Sequence, residues 1–161
     1  MSVFVPFAQP IRQGRLVRRY KRFLADIVLE DGTEIVAHCA NTGSMRGLTE
    51  PGSSVLVWQS DNPKRKLKWS WKAVQATTGS WVGIDTTLPN RFVAEAVAAG
   101  EIATLAKADE VKREQKMGAN SRVDIVVTGD WGRAWVEVKN VTLVDSDERD
   151  VATGLRVARF P

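Results

Sequence analysis

The first half of the chain alternates short apolar runs with turn residues. In 68–76, large and polar side chains alternate, as they do on a strand with one buried face. Gly and Pro mark several of the connections, such as the turn at Pro51-Gly52. About five short strands within ninety residues predict a small β-barrel or sandwich. The predicted strands occupy 16–29, 34–40, 53–60, 68–76 and 80–85.

The pattern changes at residues 86–91. Pro89 ends the extended stretch, and Asn90 is predicted as the N-cap of a helix over 91–100, which has an apolar stripe and ends at Gly100. Two apolar runs, 122–127 and 134–141, then flank a Gly- and Asp-containing turn and predict a β-hairpin. We therefore expect two domains, 1–87 and 88–161, the second with α/β character.

Two charged residues, Glu137 and Lys139, interrupt the second strand of this hairpin and share one face. If the turn is centred between Asp130 and Trp131, Asp124 lies opposite Glu137. Two carboxylates about 5 Å apart repel by roughly 3 kcal/mol at an effective dielectric near 20. A bridging divalent metal would relieve this repulsion, and Lys139 could then steady a water or a developing charge. The alternative is a hairpin with one solvated face.

The charge distribution separates the two halves. The net charge is +4, and residues 1–88 hold 12 Lys/Arg against 7 Asp/Glu, whereas 89–161 hold 11 against 12. A basic first half is typical of a protein that binds a polyanionic partner. With one cysteine, Cys39, and one histidine, His38, an internal disulfide is excluded and a Cys/His zinc site is not expected. Neither a membrane span nor a signal peptide is predicted, so we expect a cytoplasmic protein.

Two basic stretches are candidates for contact with nucleic acid. Residues 12–22 contain six Lys/Arg, and 64–72 contain five, interleaved with two tryptophans. The arginines lack neighbouring acids in the sequence, which favours phosphate contact. The indoles could stack on bases or fill the barrel interior, and loop 41–43 could line a phosphate path or form a barrel corner. The candidates are Arg15, Arg18, Arg19, Arg22, Lys64, Arg65, Lys66, Lys68, Trp69 and Trp71.

Several segments resemble the sugar fermentation stimulation protein A family. They are "RLVRRYKRFLADI", "HCANTGSM", "PNR", "SRVDI" and "WVEVKNVTL", and they occur in that family's order over nearly the whole chain. The resemblance implies an α+β protein with an N-terminal OB-fold β-barrel and a PD-(D/E)xK nuclease-like α/β domain. It also implies DNA binding and a regulatory role in sugar (maltose) metabolism.

The same resemblance assigns the nuclease motif to particular residues. Asp124 matches the aspartate, and Glu137 and Lys139 match the Glu-x-Lys, with Mg or Mn as the implied metal held by Asp124 and Glu137. Glu95 is similar to the helical acid of such sites, but it could equally be an exposed helix residue; Glu114 is a weaker candidate. The family continues past "RFP", so we expect the second domain to be incomplete at Pro161.

Three functions follow from these observations. The first is a DNA-binding protein, with RNA as a further possible ligand, whose second domain is a nuclease scaffold. The second is a working metal-dependent nuclease. The third is a protein-interaction module with an incidental basic face. Basic asymmetry and the resemblance together favour the first, with the nuclease as the alternative.

Overall fold

The chain forms two compact units. The computed structural model describes residues 4–118, 121–142, 144–149 and 156–158, the last two ranges as backbone only. A barrel unit contains Phe7–Thr86, and a helix–sheet unit contains Thr87–Lys139. In the described ranges, we find no helix that is long and apolar enough to cross a membrane.

The barrel unit is a closed five-stranded barrel with one added edge strand. The strands are β1 (Ile11–Tyr20), β2 (Leu24–Leu29), β3 (Glu34–Cys39), β4 (Ser54–Gln59), β5 (Trp69–Gln75) and β6 (Trp81–Gly83). They follow the order β3-β2-β1-β4-β5-β6, with antiparallel neighbours. A short parallel pairing of β3 with β5, from Ala37↔Trp69 to Cys39↔Trp71, closes the barrel. Closure leaves the central strands without free edges.

Alternating inward side chains fill the barrel. Trp71 is fully buried between strands, and its indole Nε1 donates to the carbonyl of Ala73 at 2.9 Å, so its polar atom is satisfied. β1 pairs with both β2 and β4, and it approaches β2 closely at Gly14, where a Cβ would lie 2.7 Å from the Val28 carbonyl oxygen. Any other residue at position 14 would force the two strands apart, so glycine is required at this close approach.

The predicted run 16–29 is two strands rather than one. A turn at 21–23 separates β1 from β2, and Lys21 and Arg22 adopt left-handed φ values of 49° and 64°. Turns of this kind normally carry Gly or Asn, and neither residue is present here. The sequence therefore held no turn signal at this position.

The helix–sheet unit packs one helix on a three-stranded antiparallel sheet. Its elements are α1 (Pro89–Ala98), a 3-10 turn (Ala103–Leu105), β7 (Ala108–Met117), β8 (Ser121–Gly129) and β9 (Gly132–Val136). The sheet order is β7-β8-β9. Ala94 and Val97 of α1 contact Ile125 and Val127 of β8, which buries one face of the sheet.

Several details of this unit differ from the sequence predictions. The helix begins at Pro89 with Leu88 as N-cap, so the prediction that Asn90 caps it was wrong. β7 was not predicted, because its polar sequence "ADEVKREQKM" lacks an apolar alternation. β9 ends at Val136, well before the predicted 141. Outside this unit, which ends at Lys139, two further strands, β10 (Val144–Arg149) and β11 (Arg156–Ala158), pair antiparallel with each other.

Candidate functional site

The hairpin register is the one that the sequence predicted. β8 and β9 pair from Gly129↔Gly132 to Ile125↔Val136, so the turn is centred between residues 130 and 131. Continued by one residue, this register places Asp124 opposite Glu137. The chain stays close after β9 ends, because the backbone N–H of Val138 donates to Asp124 Oδ2 at 2.7 Å. Glu137 and Lys139 thus lie just past the last residue of β9, beside Asp124.

A third acid continues the same line across the sheet. β7 and β8 pair at Arg113↔Ile125 and Gln115↔Val123, which places Glu114 opposite Asp124. We call Glu114, Asp124 and Glu137 the acidic row. Residues on either side of Asp124 along β8, Val123 and Ile125, are buried. Asp124 itself is half-buried.

The structure compensates the charges of the acidic row with hydrogen bonds and one ammonium. The Asn90 side-chain amide donates to Glu114 Oε1 and to Asp124 Oδ1, each at 2.9 Å. Lys139 Nζ forms an ion pair with Glu137. The hydrogen bond to Glu137 raises the pKa of Lys139, and the charges of Glu137 and Asp124 raise it further. Lys139 therefore stays protonated at neutral pH beside the acids.

The chemistry of these donors fits a hard divalent cation. Magnesium is commonly held by one or two carboxylates together with water or phosphate oxygens, and Asp124 and Glu137 provide such a pair. Within the described ranges, no cluster of three or more His, Cys, Asp or Glu side chains is arranged to hold a metal. Within these ranges, the acidic row is therefore not arranged as a three-acid metal site.

Glu95, the predicted helical acid, is engaged elsewhere. Its Oε1 accepts from Arg91 Nε at 2.7 Å, one helical turn earlier, in an i,i+4 ion pair. The residue of α1 that contacts the acidic row is Asn90. Sequence reasoning gave Asn90 a capping role, since Asn after Pro near a helix start is a common N-cap signal.

Most arginines of the first basic stretch are occupied by contacts within the fold, and Arg18 pairs with an acid, which corrects the expectation for that residue. Arg18 Nε pairs with Asp26 at 2.7 Å, and its guanidinium lies 4.9 Å from the Tyr20 ring centroid. Arg19 donates to three backbone carbonyls at 2.7 to 2.9 Å, those of Arg22, Asn41 and Gly43. Loop 41–43 is therefore a barrel corner that Arg19 ties to the β1–β2 turn. Arg15 contacts the Gly52 carbonyl at 3.2 Å.

The second basic stretch is also partly structural. Lys68 donates to the carbonyls of Asn62 and Pro63, and Arg65 donates to Ser70 Oγ. Trp71 occupies the barrel interior, so the prediction that it could stack on bases was wrong. Trp69 is half-buried against the same core, with the Arg12 guanidinium 5.7 Å from its ring centroid.

Exposed cations remain on two loops of the barrel. Lys21 and Arg22 occupy the β1–β2 turn, and Lys64 and Lys66 occupy the β4–β5 loop. Phe23, beside Arg22, is 45% exposed. The pairings Leu24↔His38 and Ala37↔Trp69 bring the start of β2 and the start of β5 to the same end of β3. Both loops therefore flank the outer face of β2 and β3.

Two family models cover most of the chain. Residues 17–84 match the SfsA N-terminal OB domain, and residues 87–161 match the sugar fermentation stimulation protein RE domain. The first match confirms the predicted OB-fold barrel, and the second domain that follows it is consistent with the predicted nuclease-like type.

Curated relatives and one solved structure agree with these matches. The chain is 52% identical over 137 residues to a sugar fermentation stimulation protein homolog of Geobacter sulfurreducens, covering 85% of this chain and 58% of the relative. It is 50% identical over 143 residues to a homolog of Paramagnetospirillum magneticum, covering 88% and 60%. The structure of Pyrococcus furiosus SfsA in complex with Ca2+ superposes with a TM-score of 0.75 at 22% identity, covering 86% of this chain and 58% of that one. The chain thus spans about three fifths of the length of these relatives.

Proposed function

This chain belongs to the sugar fermentation stimulation protein family. We therefore propose that it is a DNA-binding protein whose barrel unit binds the nucleic acid. The observation that carries this proposal is the placement of the exposed cations Lys21, Arg22, Lys64 and Lys66. They lie on the two loops that flank the outer face of β2 and β3. OB folds bind oligonucleotides across this face and between these two loops.

Each exposed cation can neutralise one phosphate and release a counterion, which makes such binding salt-dependent. Phe23 supplies an exposed ring at the tip of the β1–β2 turn, where an unpaired base can stack on it. Phe23 replaces Trp71 as the stacking candidate, because Trp71 is enclosed in the barrel.

The test compares two double substitutions of equal charge. Lys64→Ala/Lys66→Ala removes exposed cations, whereas Arg12→Ala/Arg18→Ala removes two arginines whose guanidinium groups pair with Asp31 and Asp26. Affinity for a labelled single-stranded oligonucleotide and a duplex is measured by anisotropy between 50 and 200 mM salt. The plot of log K against log salt has a negative slope. We expect the first variant to reduce the magnitude of this slope by about 1 per lost phosphate contact, and the second variant to leave the slope unchanged. An affinity of the parent chain that does not change with salt would refute DNA binding.

A regulatory role in sugar metabolism is the wider form of this proposal. The relatives are named sugar fermentation stimulation protein homologs, which supports a link between the family and sugar use. Sugar (maltose) genes are therefore the first DNA to test. Deletion of the gene should change the transcript levels of maltose genes. Complementation by the parent chain should restore them, whereas complementation by Lys64→Ala/Lys66→Ala should not. Equal rescue by both chains would count against a regulator that acts through this surface.

A metal-dependent nuclease is the second candidate, favoured by the placement of Asp124, Glu137 and Lys139 at one edge of the hairpin. Asp124 and Glu137 would hold a divalent ion, a role in keeping with the calcium-bound relative from Pyrococcus furiosus. Such an ion would polarise a phosphodiester and supply a nucleophile from water. Lys139, kept protonated by its neighbours, is placed to stabilise negative charge on a phosphate oxygen.

The cleavage assay incubates plasmid and single-stranded DNA with Mg2+ or Mn2+. The parent chain is compared with Asp124→Ala and with Glu95→Ala, which removes an acid that lies outside the row. Cleavage should disappear in Asp124→Ala and persist in Glu95→Ala. Equal cleavage by the parent chain and Asp124→Ala would assign the activity to a contaminant and end the nuclease proposal for this site.

A further inference from the structure

A cavity opens on the outer face of the barrel, across β1, β2 and β3. Its volume is about 400 Å³, within the range of sites that bind small ligands. One valine from each strand lines it: Val17, Val28 and Val36. Val28 and Val36 each lie between two buried neighbours on their strand, so their side chains are on the outer face. The cavity therefore offers an apolar surface that a flat ring can cover.

The wall of this cavity on β1 is formed by a β-bulge. The register of β1 against β2 shifts between Leu16 and Arg18, which leaves Val17 without a partner on β2. Val17 is 46% exposed and lines the cavity, whereas Leu16 before it is buried in the barrel. Bulges re-aim a side chain in this way and are common beside functional sites.

Two acids also line the cavity, and they differ in their partners. Asp26 accepts from Arg18 at 2.7 Å and from the Tyr20 hydroxyl at 3.0 Å. The exposed carboxylate of Glu34 has no hydrogen-bond or ion-pair partner among the residues that the structure describes. Such a carboxylate repels phosphate but accepts hydrogen bonds from N–H groups. On a face that binds DNA, this cavity therefore suits a base rather than the backbone.

A cation lies on the other side of Val28 from this carboxylate. Arg15 pairs with Val28, and Val28 pairs with Glu34, so the three residues form one row across the strands. Adjacent strands are about 4.8 Å apart, which places the Cα atoms of Arg15 and Glu34 roughly 10 Å apart. The row thus presents a cation for a phosphate, an apolar surface for a ring and an acceptor for the edge of a base.

The four bases differ in what their Watson–Crick edges present to a carboxylate. Guanine has two adjacent donors, N1–H and the N2 amino group, which match the two oxygens of one carboxylate. Adenine and cytosine have an amino donor beside a ring acceptor, and thymine has one N–H between two carbonyls. In a duplex this edge is occupied by pairing, whereas the bases of a single strand are free to present it.

We propose that Glu34 binds the Watson–Crick edge of a guanine in single-stranded DNA, with the ring over Val28 and a phosphate on Arg15. Glu34 is then the residue that determines base preference. This inference rests on the DNA-binding function proposed above, and it names the form of DNA and the base that this face selects.

The experiment measures the affinity of the whole chain for labelled single-stranded oligothymidines by anisotropy. The oligonucleotides differ only at one central position, which carries guanine, inosine or adenine. The parent chain should bind the guanine probe roughly 10-fold more tightly than the adenine probe, as expected for two hydrogen bonds that specify a base. Inosine lacks the N2 amino group, so its probe should bind with intermediate affinity.

Two substitutions of equal charge test the role of Glu34. Glu34→Gln should remove the preference for guanine, because the amide presents one acceptor and one donor. Glu30→Gln is the matched control, since it removes the same charge from the β2–β3 turn, outside the cavity, and should keep the preference. The two variants should change the affinity for a duplex alike. Thermal unfolding verifies that each variant is folded.

The outcomes separate this inference from the function on which it rests. Equal affinity of the parent chain for the guanine and adenine probes would overturn the inference while leaving DNA binding in place. An unchanged preference in Glu34→Gln, or its loss in Glu30→Gln as well, would overturn it in the same way. Failure of the parent chain to bind any probe would instead refute DNA binding, and the inference with it.

Discussion

The barrel unit and the helix–sheet unit use their charged residues in opposite ways. In the barrel, most of the cations that make the first half basic are bound within the fold, as with Arg18 on Asp26 and Arg19 on three carbonyls. In the helix–sheet unit, Glu114 and Asp124 both accept from the Asn90 side chain, and Lys139 pairs with Glu137. The comparison teaches that net charge alone does not locate a binding surface.

The most deeply bound cation of the barrel illustrates this point. Lys72 and Asp85 form a buried ion pair, with 4% and 3% of their side chains exposed. Lys72 Nζ also lies 3.5 Å from the Trp58 ring centroid. Burial lowers the pKa of Lys72, and the hydrogen bond and charge of Asp85 oppose that shift. Lys72 counts toward the positive charge of the sequence, but its buried ammonium is not accessible to a ligand.

The largest effect is expected from breaking this buried pair. Asp85→Ala leaves the Lys72 ammonium buried without its carboxylate, and we expect a loss of about 3–5 kcal/mol in the free energy of unfolding. Urea denaturation followed by tryptophan fluorescence measures this loss. Lys72→Met/Asp85→Leu, which removes both charges, should be much closer to the parent. A loss below about 1 kcal/mol in Asp85→Ala would mean that the pair is not needed for the barrel.

A smaller effect should separate structural arginines from free ones. Arg19→Ala removes a charged donor from three carbonyls, and we expect it to destabilise the barrel by about 1–3 kcal/mol. Arg22→Ala, on the exposed turn, should change stability by no more than about 0.5 kcal/mol and yet weaken binding of an oligonucleotide. Equal destabilisation by the two substitutions would mean that the bound and the exposed arginine contribute alike to the stability of the barrel. Unfolding curves and anisotropy on the same samples provide both measurements.

The smallest effect concerns an exposed pair and its dependence on pH. Hydrogen bonds from Thr33 and Arg12 hold the pKa of Asp31 well below its usual value. Because the pKa is lower in the folded state, the stabilisation from Asp31 is present above the unfolded pKa, near 3.9, and is lost as the pH falls below it. The urea midpoint of Asp31→Asn should therefore lie below that of the parent at pH 6, and the difference should shrink towards pH 3. A constant difference across this range would contradict the assignment.

The predictions from sequence succeeded where a local signal existed. The strands at 34–40, 53–60 and 68–76 carry apolar side chains at barrel-facing positions, and the register of the hairpin followed from counting outward from its Gly-containing turn. They failed where the signal was absent. β7 has a polar sequence because it is a sheet edge with much exposed surface, and the turn at 21–23 uses non-glycine residues at positive φ.

The sequence by itself determined most strands of the barrel and the register of the hairpin turn, since each of these depends on neighbours along the chain. Only the tertiary structure decided which charges remain available. Asn90 contacts Glu114 and Asp124 across 24 and 34 residues, and Lys72 meets Asp85 across 13. Such contacts form when strands and a helix pack together, and no local pattern of apolar and polar residues records them.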